Sequence, residues 1–307
     1  MESQMPVMPT RRAFLATSFL MAVAPMLLNT PVLAHESDPS GWLIEAKTAH
    51  GLLEKGALLL DTRAEALRNA PPLPGAIPVT WQEFSHPDLP EKGHLLKDDA
   101  VLTAKLRALG VSAAVPVIVV ADPAQSWGED GRIVWTLRAL GHRQTYLVNG
   151  GVAALLAEGE LPERSAVGPG DFTVTRTPAF EIEKEELAAL IGQPDVVILD
   201  TREPREFSGA TPYGETRGGH VPGAKHVYFK DLIGADGRAL EGAALQARLD
   251  SLGITAQTQV VSYCTAGIRS GLVTAILQSA GVNARNYAGS MWEWSAADPA
   301  TYPLVTE

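Results

Sequence analysis

The chain has 307 residues, 46% hydrophobic and 20% charged, which is long and apolar enough for two ordinary globular domains. Its formal charge of -10 argues against a surface built for nucleic acid or anionic lipid, since both call for an excess of lysine and arginine. A single cysteine excludes an intrachain disulfide.

Residues 1–34 read as an export signal. Thr10-Arg11-Arg12-Ala13-Phe14-Leu15 resembles the twin-arginine pattern, the apolar run from Ala13 to Leu28 follows, and Val32-Leu33-Ala34 suits a signal peptidase. The mature chain then starts at His35, in the periplasm or otherwise exported, with no stable membrane association after cleavage. The alternative is an uncleaved anchor, but the run is short for the roughly 20 residues of a spanning helix and Pro25 interrupts it. In an oxidising compartment a lone thiol is a liability, so its retention points to use.

In residues 35–160, Leu58 to Leu60, Val117 to Val120 and Thr145 to Val148 are strand-like; Leu102 to Leu109 and Ile133 to Leu140 have helical periodicity. Residues 161–178 hold three prolines and two glycines with little apolar pattern, and read as a linker. In residues 179–307, Val196 to Leu199, Gln259 to Tyr263 and Ala284 to Tyr287 are strand-like, and Glu183 to Ile191, Leu240 to Leu252 and Gly271 to Ala280 helix-like. The two segments also repeat literally. Leu58-Leu59-Leu60-Asp61-Thr62-Arg63 returns as Val197-Ile198-Leu199-Asp200-Thr201-Arg202, and Asn149-Gly150-Gly151 returns as Ala288-Gly289-Ser290 at the same offset of 139. Pro74-Gly75-Ala76 returns as Pro222-Gly223-Ala224. A repeat this long is a duplicated domain. Uniformly apolar strands separated by helices imply an α/β fold: two domains, each a central, mainly parallel sheet with helices on both faces.

The chemistry concentrates at Val260-Val261-Ser262-Tyr263-Cys264-Thr265-Ala266-Gly267-Ile268-Arg269-Ser270. The only cysteine falls on a turn between a strand end and a helix start, where unpaired N–H groups and the positive end of the helix dipole favour a thiolate. Gly267 lets the backbone bend so that successive N–H groups converge on an anion, and Arg269 adds charge. The expectation is a sulfur atom in an electropositive cup. The competing reading, Cys264 as a small apolar residue closing a buried strand, does not account for the turn, Gly267 and Arg269 together. In the first half the matching position holds Asp122, which cannot accept sulfane sulfur and repels anions, so that half is expected to be catalytically silent.

Asp200-Thr201-Arg202, Gly219-His220-Val221-Pro222-Gly223-Ala224, the Cys264 loop and Gly289-Ser290-Met291-Trp292-Glu293-Trp294 together resemble the tandem-domain rhodaneses, which are sulfurtransferases. In the first half, Arg132-Ile133-Val134-Trp135 through Gly141-His142-Arg143 to Asn149-Gly150-Gly151 looks like their non-catalytic domain. The resemblance implies a persulfide cycle on Cys264. A small anionic donor, thiosulfate or 3-mercaptopyruvate, gives up sulfur, and a thiol or cyanide takes it. It also implies substrate binding by Arg205, Arg269 and the loop residues Thr265, Ala266, Gly267 and Ile268. For Arg205 the competing reading is a pair with Glu203 or Glu206. No cofactor or metal is expected, and the seven histidines are scattered.

Thr265 and Ala266 are neutral where thiosulfate-specific loops resemble Cys-Arg-Lys-Gly-Val-Thr, and Ala266 stands where mercaptopyruvate loops carry serine. Arg269 restores a charge in the manner of Cys-x-x-Gly-x-Arg loops, which favours thiosulfate. Two other classes compete. One is a cysteine phosphatase or arsenate reductase, although the Cys264 to Arg269 loop is one residue shorter than in dual-specificity phosphatases. The other is a sulfur carrier or binding module with little turnover.

Overall fold

The computed structural model describes residues 1–2, 41–69, 71–163 and 168–307; the expected export signal, Met1 and Glu2 aside, lies outside the described residues. No helix among the described residues is long and apolar enough to cross a membrane.

The first half runs β1 (Leu43–Ile44), α1 (Ala46–Glu54), β2 (Leu58–Asp61), β3 (Ile77–Pro78), α2 (Asp99–Ala108), β4 (Val117–Val120), α3 (Glu129–Ala139), β5 (Thr145–Val148) and α4 (Gly151–Ala157). Its strands form one parallel sheet in the order β1-β5-β4-β2-β3. The second half runs α5 (Lys184–Leu190), β6 (Val196–Asp200), α6 (Pro204–Phe207), β7 (Lys225–His226), α7 (Gly242–Ser251), β8 (Gln259–Tyr263), α8 (Ile268–Ser279), β9 (Asn283–Asn286) and α9 (Ser290–Ala296). Its sheet is also parallel, in the order β7-β6-β8-β9, and a bridge from Glu181 to Asn286 stands where β1 pairs with β5 in the first half. The α/β class with two parallel sheets is therefore as the apolar runs imply. Strands such as β2 and β4 are buried along their whole length because helices cover both faces.

The repeated Asp-Thr-Arg motif has the same structural task in each half. Arg63 grips Asp61, with its terminal nitrogen 2.8 Å from Oδ2, and Arg202 grips Asp200 at 2.6 Å, both pairs buried at a strand end. In the second half the Tyr263 hydroxyl also donates to Asp200 at 2.8 Å, which ties β8 to β6 one residue before Cys264.

One apolar core is shared by the two halves, and each half has a second core on its outer face. The shared core is crossed by the equivalent helices α3 and α8, which are buried almost throughout. They approach so closely that a β-carbon on Gly131 would collide with Leu272, and one on Gly271 would press on Arg132. The reciprocal pairing, 131 with 272 and 271 with 132, is that of a pseudo-twofold axis.

The linker is less of a linker than its composition implies. Residues 168–177 run along the first half: Gly170 donates to the Arg107 carbonyl at 2.8 Å, Thr175 to Leu140 at 3.0 Å and Thr177 to Ala139 at 2.7 Å. Phe172 and Val174 are buried in the shared core, so the segment is a strap on the first half.

Candidate active site

Cys264 follows directly on β8, at the carboxyl end of its sheet. Its sulfur is buried, with the residue only 1% exposed, but not in hydrocarbon. α8 begins at Ile268, three residues before the apolar periodicity starts, because the residues after Gly267 already turn helically. Gly267 caps this start at φ 74° in the left-handed region, where a β-carbon would run into the Arg132 guanidinium and Ala288. Arg269 and Ser270 therefore occupy the first turn, whose N–H groups have no partner inside the helix. Burial pushes the Cys264 thiol up, but the Arg269 charge and the Ser270 and Ala266 N–H groups outweigh it and hold the thiol below its ordinary value. The buried Ser270 hydroxyl has no hydrogen-bond partner among the described residues.

The electropositive cup requires a correction. Arg269 is buried and its two terminal nitrogens reach the two oxygens of Glu206 at 2.6 and 2.8 Å. Glu206, itself fully buried, also accepts from the Thr265 hydroxyl at 2.8 Å and the Glu203 N–H at 3.0 Å. Burial would raise the Glu206 carboxyl, yet Arg269 and these donors hold it below the usual carboxylate range. Arg269 is in turn driven further up, burial notwithstanding, by Glu206 and the Cys264 charge. A second carboxylate, Glu215 Oε1, stands 3.5 Å from the Thr265 hydroxyl. The positive charge beside the sulfur is thus balanced locally.

The structure gathers Cys264, Thr265, Ala266, Gly267, Ile268 and Arg269 into one loop and helix start, but places Arg205 apart from them. Arg205 sits on the exposed surface, bonded to Glu203 at 2.8 and 3.0 Å and to the Tyr213 hydroxyl at 3.2 Å. Its neighbour Glu206, not Arg205, turns inward. Over Arg269 lie two aromatic rings, Trp127 from the first half at 5.4 Å and Tyr213 at 5.8 Å, and both are among the exposed large side chains. Trp292 donates to the Tyr213 carbonyl at 2.9 Å, while Trp294 is a buried packing residue. Arg217 is structural, donating to the carbonyls of Trp294, Ser295, Ala297 and Tyr302.

Sequence reasoning named Glu206 only as a possible partner of Arg205, not of Arg269, and missed the roles of Ser270 and Ser290. Ser290 adopts φ 53°, uncommon for a residue with a side chain, and its hydroxyl accepts the Cys264 N–H at 3.1 Å and donates to Tyr287 at 2.7 Å. Its counterpart in the repeat is Gly151, at φ 61°, so the half with the cysteine carries a side chain where the other half has only a backbone bend. That substitution inside the repeat was the available signal. The structure corrects the expected counterpart of Cys264: Val120 pairs with Asp61 as Tyr263 pairs with Asp200, and Ala121 accepts from Val152 N–H as Cys264 accepts from Met291 N–H, so Ala121 and not Asp122 stands where the cysteine does. Asp122, one residue later, caps its own loop, accepting from Ala124 at 3.0 Å and Gln125 at 2.9 Å. Among the described residues one group has metal-ligand spacing, His94 with Glu181 and Glu183, and His94 is already joined to Glu293 at 2.8 Å.

Residues 183–297 match the rhodanese-like domain family. SseB of Mycobacterium tuberculosis is 33% identical over 234 residues, which is 74% of this chain and 81% of that protein. A thiosulfate sulfurtransferase of Pseudomonas aeruginosa is 31% identical over 242 residues, 77% of this chain and 87% of that one. The crystal structure of SseA from Escherichia coli, described with the fold and mechanism of 3-mercaptopyruvate sulfotransferases, shares the fold at a TM-score of 0.66 and 20% identity, across 81% of this chain and 98% of that one. Matched in sequence well beyond either half, with both sheets of the expected kind, the chain belongs to the rhodanese family of sulfurtransferases.

Proposed function

We propose that this chain transfers sulfane sulfur from a small anionic donor to a thiol or cyanide through a persulfide on Cys264. The observation that carries the reading is the position of the lone sulfur, at the end of β8 and before the first turn of α8, where the Arg269 charge and the Ser270 and Ala266 N–H groups hold its thiol below the ordinary value. With thiosulfate, the Cys264 thiolate attacks the outer sulfur; the donor S–S bond breaks, its electron pair leaves on sulfite, and Cys264 becomes a persulfide anion. Attack of cyanide or a thiolate on that outer sulfur forms the product and returns the Cys264 thiolate. The donated N–H groups favour each anionic state of the sulfur in turn. Trp127 and Tyr213 swing away from Arg269 to admit the donor, and Arg205 steers it at the rim. The Cys264 to Arg269 loop, one residue shorter than in dual-specificity phosphatases, suits a sulfur atom better than a phosphoryl group, which disfavours the phosphatase reading. Export by the N-terminal signal belongs to the same proposal.

A second donor class has its own observation in favour. Because Glu206 neutralises Arg269 and Glu215 stands nearby, a dianion gains less here than beside an unpaired arginine, which favours a singly charged donor such as 3-mercaptopyruvate. Sulfite release from thiosulfate and pyruvate release from 3-mercaptopyruvate, measured at matched concentrations, decide between the two. Cys264→Ser tests the shared core of the proposal: both activities are expected to vanish, and retention of either overturns it. Mass spectrometry after donor exposure is expected to show one added sulfur on Cys264. That gain without cyanide-dependent turnover would mark a carrier and not an enzyme.

A further inference from the structure

Arg132 lies in the silent half, on the first turns of α3, and is fully buried. Its NH1 donates to the carbonyls of Ala266 at 3.3 Å and Gly267 at 3.1 Å, both in the Cys264 loop. Its NH2 donates to the Ser85 hydroxyl at 3.0 Å and the Gly93 carbonyl at 2.7 Å, and its guanidinium stacks 4.7 Å from the Trp135 ring. None of these partners is a carboxylate, and Nε has no partner among the described residues. Arg269, paired to Glu206, differs in this respect.

Four consecutive loop carbonyls are each held by a donor. Cys264 O accepts from Met291 N–H and Thr265 O from Trp292 N–H, each at 3.1 Å, at the start of α9. Ala266 O and Gly267 O are held by Arg132, with Asn286 adding a bond to Gly267 O at 3.1 Å. In a trans peptide the N–H points opposite to the carbonyl. Anchoring four consecutive carbonyls therefore also fixes the directions of the N–H groups of Thr265, Ala266, Gly267 and Ile268. Gly267 is required for the same reason, since a β-carbon there would occupy the place of the guanidinium.

We propose that Arg132 is a positioning residue for sulfur transfer: the silent half supplies it to aim the Cys264 loop and to place a buried cation, unpaired by any carboxylate, behind the sulfur. Burial outweighs the charges of Glu181 and Cys264, which favour its charged form, and lowers it to about 10, so it remains charged at neutral pH. A thiolate or persulfide on Cys264 thus adds to Glu181 a second counter-charge for a guanidinium that makes no carboxylate ion pair. The inference rests on the sulfurtransferase reading only for its effect on turnover.

The test is the pH dependence of iodoacetamide alkylation of Cys264, read with thiosulfate kinetics, in the full chain. Arg132→Met is expected to raise the alkylation midpoint by about one pH unit and to lower kcat by about tenfold or more, with a smaller change in KM. Arg132→Lys, which keeps the charge but cannot bridge both carbonyls, is expected to restore the midpoint and only part of kcat. Arg138→Met removes another buried arginine of α3, one bonded to the carbonyls of Thr145 and Gly41 and not to the loop, and is expected to leave the midpoint at its wild-type value. A folded Arg132→Met with wild-type alkylation overturns the proposal, as does an equal shift in Arg138→Met. Should Arg132→Met fail to fold, Arg132→Lys decides: unchanged kcat overturns the proposal, and reduced kcat at an unchanged midpoint supports it. Because alkylation needs no donor, a wild-type chain inert toward thiosulfate would defeat the activity reading while leaving this one standing on the midpoint shift.

Discussion

Glu206 holds Arg269 in a two-pronged ion pair, 2.6 and 2.8 Å, with the carboxylate wholly buried and the guanidinium nearly so. The pair joins α6 to the first turn of α8 and fixes the charge seen by the sulfur. Breaking a buried pair from one side costs more than the pair contributes, because the surviving charge is stranded. Glu206→Gln is expected to lower stability on the order of 3 kcal/mol, read by denaturant unfolding. It is also expected to lower KM for thiosulfate, since Arg269 is then free to meet a dianion. An unchanged KM would show that Arg269 does not face the donor.

Gly267→Ala puts a methyl group where the Arg132 guanidinium and Ala288 already stand, at φ 74°. Strain of this kind costs about 1–3 kcal/mol, with the steric clash in addition. The expected outcome is a chain less stable by at least that amount, with sulfur transfer reduced more than Cys264 alkylation at high pH. Wild-type thermal unfolding would contradict the close approach.

Ionisation at the seam between the halves predicts a stability optimum. His94 of the first half meets Glu293 of the second at 2.8 Å, with Lys184 3.2 Å from the other Glu293 oxygen. Burial lowers His94, but the Glu293 bond and the charges of Glu293, Glu183 and Glu181 raise it above 6.5. Burial raises Glu293, but His94, Tyr287 and Lys184 bring it down to about 2. For the histidine, raised on folding, the stabilisation is complete below 6.5 and is lost as pH rises through the folded value. For the carboxylate, depressed on folding, it is complete above 4.5 and is lost as pH falls toward about 2. The pair therefore contributes most between 4.5 and 6.5. Melting temperature measured against pH is expected to fall less steeply above that window in His94→Gln than in wild type; parallel curves would remove His94 from the account.

Arg205→Ala isolates steering at the rim. Its side chain is largely exposed and its partner Glu203 is local, so stability is expected to stay as in wild type. KM for an anionic donor is expected to rise about threefold at low salt, less at high salt, with kcat unchanged. A fall in kcat would place Arg205 nearer the sulfur than its position on the surface indicates.

The sheets were legible because strands buried on both faces are largely apolar, as Val117 to Val120 are throughout and Val260-Val261 are at the centre of β8. The turn carrying Cys264 was legible because Gly267 and Arg269 flank it. What was hidden depends on distance along the chain. Glu206 meets Arg269 across 63 positions, and only folding selects it over the adjacent Arg205. Ser290 was masked by its resemblance to a glycine turn. Arg132 was hidden by its place in the half that lacks a nucleophile. The start of α8 at Ile268 escaped periodicity because its first turn is chosen for hydrogen-bond donors, not for packing. Phe172 and Val174 looked isolated, since a strap buries alternate residues without helix or sheet around it.

The paired glycines where α3 crosses α8 bear on how such a molecule can change over generations. Gly131 and Gly271 let each backbone rest against the other's side chains, so the contact surface of either copy is shaped by its sibling. A duplicated copy held in this way is free to forfeit its own reactive thiol but not its backbone, because removing it would strip the surviving partner of a wall. The lack of a cysteine in the first copy is then no sign of redundancy: the two are inherited as one object.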